Sequence, residues 1–210
     1  MCIFLVKEVI PLFQPPHATL TEPIALSPLE RPSTSALIGI DEHQELAYVL
    51  RGDSLEFVFL EEAKSTVSKI SSRGLLPDGS VTALARALGK GHQLAMGTED
   101  GRVIPVAIEF TQDFQGNERS IAPSVTVGTP MAAAPTPQPI TKMAYQSTDS
   151  DVRIAALLQD QHLWLTTSRN TSRPDGTVEA SITQVDLTPN IPGRVTAITL
   201  ASRAELLAVG

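Results

Sequence analysis

Short apolar runs alternate with polar turns along most of this chain, and apolar positions show a helical period nowhere beyond residue 13. Four of these runs align without internal gaps, and they begin 48, 60 and 53 residues apart. In each run a leucine or isoleucine is followed by alanine: Leu46-Ala47, Leu94-Ala95, Ile154-Ala155 and Leu207-Ala208. The recurrence predicts one strand at an equivalent place in each of four successive units.

Each unit carries further strand signals around that run. Another apolar run precedes it, at 36–38, 81–84, 140–143 and 195–198. Polar turns such as 51–53 and 99–101 follow it, and then alternating strands such as 55–59 and 103–108. A fourth strand is predicted at 65–70, 124–127 and 180–187.

Four short antiparallel strands in a repeat of forty to sixty residues are typical of a β-propeller blade. The predicted fold is therefore all-β, a partial, truncated propeller over residues 35–210 with three full repeats and part of a fourth. The repeats are placed at about 35–72, 80–128, 139–188 and 194–210. A meander or sandwich of short strands, and less readily an α/β fold, are the alternatives.

The four aligned runs predict equivalent positions in the propeller. Leu46, Leu94, Ile154 and Leu207 are expected to be buried on the second strand of successive blades, under one repeated rotation. The alanine after each of them is expected to let that strand approach its neighbour closely.

The last unit stops at Gly210, which aligns with Gly97, before its outer strands. An unfinished blade exposes unpaired strand edges. Residues 195–210 are therefore expected either to borrow a strand from an adjacent molecule or to lie against an earlier strand of the same chain.

The first 34 residues differ from the rest. Residues 1–13 are mostly apolar but too short to span a bilayer, and Pro11 ends any helix there. They fit either the last turns of a membrane helix or an N-terminal strand or frayed tail. Prolines punctuate residues 14–34, which are predicted to be an extended linker, and a second such stretch covers 129–139.

Composition excludes several classes of function. The 210 residues are 42% hydrophobic and only 4% aromatic, which allows one ordinary core or two small ones. The net charge of −7 has the wrong sign for a protein that neutralises a phosphate backbone, so nucleic-acid binding is disfavoured. Cys2 is the single cysteine, which excludes an intramolecular disulfide and a cysteine-based zinc site.

Residues that could carry chemistry stand apart from one another in the sequence. The four histidines lack metal-ligand spacing, and they are His17, His43, His92 and His162. Two acidic groups are interpreted as solvated turns, namely Asp41, Glu42 and Glu45, and Glu61 with Glu62. The loop 89–91 lacks phosphate-loop spacing, and the glycosylation-type triplet at 170–172 is too short to be informative. No catalytic, cofactor-binding or metal-binding residue is predicted, and no cofactor.

Four basic residues suggest one anion site. Lys90, Arg102, Arg119 and Lys142 would form it if they converged in space. Basic residues at strand ends more commonly keep a surface soluble, and that is the preferred interpretation.

The stretch 81–110, VTALARALGKGHQLAMGTEDGRVIPVAIEF, resembles a WD40-type propeller repeat. It pairs a V-x-x-L strand with an L-A-x-G-x-x-D-G-x-V hairpin, although the Trp-Asp dipeptide of that family is missing. The predicted blades are therefore WD40-like.

The wider layout, an apolar start, a Pro-rich linker and then propeller strands, resembles the large permease subunits of phosphate ABC transporters. This resemblance implies a non-catalytic periplasmic domain at the bacterial inner membrane, acting as an interaction or regulatory module in phosphate import. Its implied partners are the substrate-binding protein, permease and ATPase, with self-association through unpaired blade edges as a further expectation. The alternative is a free-standing WD40-like scaffold for protein–protein interaction, and a hydrolase is the least favoured class because no nucleophile–base pair is visible.

Overall fold

The computed structural model describes residues 26, 35–60, 70–72, 75–76, 79–89, 92–115, 118–148, 151–172, 178–201 and 206–210. The predicted end of a membrane helix and most of the predicted linker, both within 1–34, lie outside these residues. The described residues form fifteen strands, one 3₁₀ turn (Thr188–Asn190) and no α-helix. None of their elements is a helix long and apolar enough to cross a membrane.

The strands form four antiparallel sheets in chain order, which confirms the all-β prediction and its four-stranded unit. The first sheet contains β1 Ala36–Ile40, β2 Leu46–Arg51, β3 Ser54–Phe59 and β4 Ile70–Ser72. The second contains β5 Val81–Arg86, β6 His92–Thr98, β7 Arg102–Gln115 and β8 Glu118–Val127, and β9 Met131–Ala132 pairs with β7. The third contains β10 Ile140–Ser147, β11 Asp151–Leu158, β12 Leu163–Ser172 and β13 Val178–Asp186, and the fourth contains β14 Ile198–Leu200 and β15 Leu207–Val209.

The sheets pack on one another in sequence, with the inner strands β1, β5, β10 and β14 as neighbours. One apolar cluster, including Tyr48 and Leu94, lies between the first and second sheets. A second cluster, including Ala95 and Ile154, lies between the second and third. Smaller clusters around Leu200 and Val195 join the fourth sheet to the third. This stacking of blade-like sheets about a row of inner strands makes the described chain a partial β-propeller.

The first repeat is displaced by one residue from the alignment predicted above. Leu94 and Ile154 are buried against the preceding sheet, and Leu207 is half-buried against the third sheet. Leu46 is also buried, but it faces the following sheet. Tyr48, not Ala47, therefore occupies the place that Ala95 and Ala155 hold in the next two sheets.

Turn length causes this displacement. β2 and β3 are joined after the pair Arg51 and Ser54, so that only two residues form the turn. Three residues, 99–101, separate β6 from β7. Side chains alternate between the two faces of a strand. A turn that is one residue shorter therefore places each β2 residue on the face opposite to that of the β6 residue with which the ungapped alignment pairs it.

Two ends of the stack depart from the predicted burial. Ala47 is half-buried, because it faces away from the second sheet, and Ala208 is exposed, because within the described chain no sheet covers that side of β15. The inner strand of the last unit covers 198–200 and not 195–198. The regular strand begins only at Ile198, because the consecutive amides of Thr196 and Ala197 both donate to one carbonyl, that of Gly210, at 2.6 and 2.9 Å.

The last unit lies against its own chain, which is one of the two arrangements expected for it. β14 and β15 pair with each other and pack on β10 and β11 of the third sheet. Ala144 and Ala155 contribute small side chains to this contact, so the fourth sheet sits close to the third.

A buried glutamine links the second and third sheets. The Gln146 side chain, 1% exposed, donates from Nε2 to the Leu88 carbonyl at 3.0 Å and accepts from the Leu88 amide at 3.0 Å. An amide side chain here pairs with a backbone amide as a neighbouring strand would. It holds the end of β5 against β10.

We expect Gln146→Met to lower the free energy of unfolding by about 1–3 kcal/mol, since it leaves the two polar groups of Leu88 without their partner. Gln184→Met is the control, because the half-buried Gln184 makes one hydrogen bond, to the Ala132 carbonyl at 3.1 Å, and that bond is exposed to solvent. Urea unfolding followed by the fluorescence of Trp164, the single tryptophan, measures both. Equal losses for the two variants would contradict the role given to Gln146.

Candidate functional site

The three described histidines lie in different environments, and His17 lies outside the described residues. His43 is exposed in the turn after β1, where it lies 3.4 Å from the Glu42 carboxylate and contacts the Gln112 amide. His162 is exposed and bonds through Nδ1 to the Asp186 carboxylate at 2.9 Å. No group of three His, Cys, Asp or Glu side chains among the described residues is arranged to hold a metal ion.

The acidic run 41–45 forms the predicted turn, but its first carboxylate is buried and not solvated. Asp41 is 2% exposed. Its Oδ1 accepts the amides of Glu45 and Leu46, both at 2.7 Å, and its Oδ2 accepts the amide of His43 at 2.8 Å. Three backbone donors therefore occupy this carboxylate, which stabilises the β1–β2 turn.

The four basic residues considered for an anion site do not share a common place in the fold. The Arg102 guanidinium is paired with Asp100 at 2.6 Å. Arg119 lies near the hairpin end of β8, opposite Phe114, whereas Lys142 lies on the inner strand β10. Lys90 lies outside the described residues, as do Glu61 and Glu62. Asn170, of the triplet at 170–172, lies exposed within β12.

An aromatic and basic cluster around the buried Tyr48 joins the first two sheets. Tyr48 is fully buried, its hydroxyl lies 3.2 Å from His92 Nδ1, and Arg86 Nη2 donates to it at 3.3 Å. The Arg86 guanidinium also donates to the Ile38 carbonyl of β1. The rings of His92 and Phe110 meet edge to face with centroids 4.9 Å apart. These contacts tie β5 and β6 to β1 and β2, which is a structural role.

The environments of two histidines move their pKa values in opposite directions. Burial, helped by the Arg86 charge, lowers the pKa of His92 below 6.5, although Asp41 and Glu42 act against this. The hydrogen bond to Asp186 raises the pKa of His162 above 6.5. The folded state thus disfavours protonated His92, so stability due to His92 falls as pH drops below 6.5 toward its folded pKa. The contribution of His162 is present below pH 6.5 and is lost as pH rises through its folded pKa.

We expect NMR titration of the imidazole signals to give a midpoint below pH 6.5 for His92 and above pH 6.5 for His162. Asp186→Asn should bring the His162 midpoint down toward 6.5 and leave that of His92 unchanged. Arg86→Met should raise the His92 midpoint. A His162 midpoint at or below that of His92 would contradict the assignment.

A pocket of about 350 Å³ opens along the row of inner strands. Of the described residues, three equivalent segments and one residue before β1 line it: 82–84, 141–143, 196–198 and Ser35. We call this cavity the axial pocket. Each of its three segments begins with a threonine, and all three threonines are exposed.

The backbone orients two of these threonines in the same way. The pairing of β5 with β6 shifts register between Val81 and Ala83, and that of β10 with β11 shifts between Ile140 and Lys142. At these irregularities Thr82 Oγ1 donates to the Gly97 carbonyl at 3.3 Å, and Thr141 Oγ1 donates to the Leu157 carbonyl at 3.0 Å. The same bulge and the same hydrogen bond therefore recur in two successive sheets.

The axial pocket is not among the sites predicted from the sequence. Its signal was present in the runs that begin at Val81, Ile140 and Val195, since threonine is the second residue of each. Those runs were interpreted as apolar strands only. Their shared hydroxyl becomes informative once the strands are known to line one cavity.

No family model and no curated protein matches this chain. Among solved structures, the chain is similar to the WD40 domain of SCAP from fission yeast, at 13% sequence identity and a TM-score of 0.42. The match covers 82% of this chain and 36% of that chain, so this chain spans about a third of the length of that structure.

Proposed function

We propose that this chain is a non-catalytic scaffold for protein–protein interaction, and that it binds an extended segment of a partner along the outer edge of its third sheet. One observation carries the proposal. Strand β13, nine residues long, pairs only with β12 among the described strands, and it exposes Ile182 and Val185. A long, unpaired, apolar edge strand is a template for adding a partner's strand.

The outer edge strand of the second sheet, β8, is less suited than β13 to pair with a further strand. β8 contains Pro123, which has no amide to donate to a further strand. The sequence of β13, VEASITQVD, contains no proline, and its apolar side chains are 61% (Ile182) and 45% (Val185) exposed. Because Ile182 and Val185 point to opposite faces, an added strand would find an apolar contact on each face.

The test compares partner binding by the wild-type chain and by a variant carrying Ile182→Lys and Val185→Lys. Charged lysines on an edge strand oppose strand addition. We expect a partner captured from the native host, purified and measured by calorimetry, to bind wild type with saturation and to bind the double variant at least tenfold more weakly. Ile38→Lys is the matched control, since Ile38 is 66% exposed but lies on the inner strand β1.

Three outcomes would overturn the proposal. One is that no purified protein binds with saturation, and another is that the double variant binds as tightly as wild type. The third is that self-association, measured by light scattering, accounts for all binding and is lost in the double variant. That result would assign the edge to a second copy of this chain.

The narrower assignment, a periplasmic domain of a phosphate ABC transporter permease, is a further proposal and rests on the sequence layout alone. Under it, the partners are the other transporter subunits at the bacterial inner membrane. Fractionation of cells that express the full-length protein tests it. The protein should pellet with the inner membrane, and residues 35–210 should be cleaved by protease only after the outer membrane is opened. Recovery of the full-length protein in the cytosol would contradict it.

A further inference from the structure

We propose that the axial pocket binds a carboxylate whose neighbouring atom carries an N–H or O–H donor. This inference goes beyond the scaffold function, since it concerns a small-ligand site on the inner strands and does not depend on β13. It rests on three features of the pocket: its cation, its hydroxyl groups and its size.

Among the described residues that line the pocket, Lys142 is the only charged one. Its side chain is exposed and makes no ion pair with any described residue. The register shift at 140–142 explains its position, because Thr141 and Lys142 are consecutive and yet both are exposed in the lining. A regular strand would have placed them on opposite faces.

The two threonine hydroxyls specify the rest of the ligand. Thr82 and Thr141 each donate their hydroxyl proton to a carbonyl of the second strand. A hydroxyl has one proton and two lone pairs, so each oxygen can still accept a hydrogen bond from the cavity. The pocket therefore offers one cation for an anionic group and acceptors for a donor beside it.

This pattern favours a carboxylate over a phosphate. Phosphate sites commonly supply several donors, from arginine or from a row of backbone amides. Here the described lining offers one ammonium, together with two hydroxyls that already donate to backbone carbonyls. A hydroxy acid and the C-terminal residue of a peptide both carry the required pair of groups, and a cavity of about 350 Å³ accommodates either.

The experiment uses NMR of the full chain with ¹³C-methyl labels on threonine and methionine. The probes are N-acetylglycine, lactate, acetate and inorganic phosphate, each at constant ionic strength set with sodium chloride. We expect saturable shifts at Thr82, Thr141, Thr196 and Met143 with N-acetylglycine and lactate. Acetate, which lacks the donor, and phosphate should bind at least threefold more weakly.

The two sources of the carboxylate give different results. Binding that tightens from N-acetylglycine to a tripeptide with the same C-terminus assigns the pocket to a peptide end. If lactate binds more tightly than both N-acetylglycine and the tripeptide, the pocket is assigned to a free hydroxy acid.

Variants keep the proposal falsifiable. Lys142→Met should weaken N-acetylglycine binding at least tenfold and Lys142→Arg should largely keep it, while Thr82→Val with Thr141→Val should remove the preference over acetate. Arg102→Met is the control, since it removes one positive charge outside the pocket. Ile182→Lys with Val185→Lys should leave N-acetylglycine binding unchanged. Failure of the scaffold function at β13 can thus be told apart from failure of ligand binding in the axial pocket. Shifts that only follow ionic strength, or unchanged binding in Lys142→Met, would overturn the proposal.

Discussion

Gly101→Ala is expected to lower the free energy of unfolding by about 3–4 kcal/mol, from strain at a positive φ and from a backbone contact. Gly101 has φ +79°, and an added Cβ would lie 2.8 Å from both the amide nitrogen and the carbonyl oxygen of Gln138. The Gly101 carbonyl also accepts the Ala133 amide at 2.9 Å. The new methyl group would therefore push apart the turn after β6 and the segment that leads into the third sheet.

Gly79→Ala is the matched control for this prediction. Gly79 has φ +97°, but no atom lies within 4 Å of an added Cβ. It should lose only the conformational part, about 1–2 kcal/mol. Urea unfolding monitored by Trp164 fluorescence measures both variants. If the two losses are equal, the contact with Gln138 carries no energy and the explanation is wrong.

Gly39→Ala is expected to cost about 2–4 kcal/mol, because the buried Tyr48 ring lies directly over Gly39 and an added Cβ would overlap three of its atoms. The ring cannot yield, since Tyr48 is 0% exposed and held by Arg86 and His92. The second and third sheets pair alanine with alanine at this place, Ala85 with Ala95 and Ala144 with Ala155. The first sheet instead pairs a glycine with a tyrosine.

A double-mutant cycle tests this pairing. Tyr48→Ala alone should cost about 3–5 kcal/mol for the cavity it leaves. In the Tyr48→Ala background, Gly39→Ala should change sign and stabilise the protein by about 0.5–1 kcal/mol, since alanine suits a strand better than glycine. Additive losses, measured by urea unfolding, would show that the ring and Gly39 are not coupled.

The position of Tyr48 also shows why the sequence alignment placed the first repeat one residue out of register. The ungapped alignment matched Ala47 with Ala95, because small residues recur at that step of the pattern. The alignment is correct for β3 and β7. The turn between β2 and β3, however, is one residue shorter than the turn between β6 and β7. The local pattern does not reveal that difference in turn length, because both turns are short polar segments that contain an aspartate and a glycine.

The sequence by itself determined the all-β class, the four-stranded unit and its repetition, because the alternation of apolar and polar residues and the turn residues between them are local signals. It also excluded a disulfide within the chain and a strongly basic surface, which are matters of counting.

Only the tertiary structure decided which residues meet across sheets. Burial of Asp41 under three backbone amides, the pairing of Gln146 with Leu88, and the convergence of three threonine-led segments on the axial pocket each join groups far apart in the chain or along a turn. Such contacts depend on how sheets stack, on turn length and on the bulges at 81–83 and 140–142. A one-residue change in any of these moves a side chain to the opposite face, and a periodic pattern alone does not reveal it.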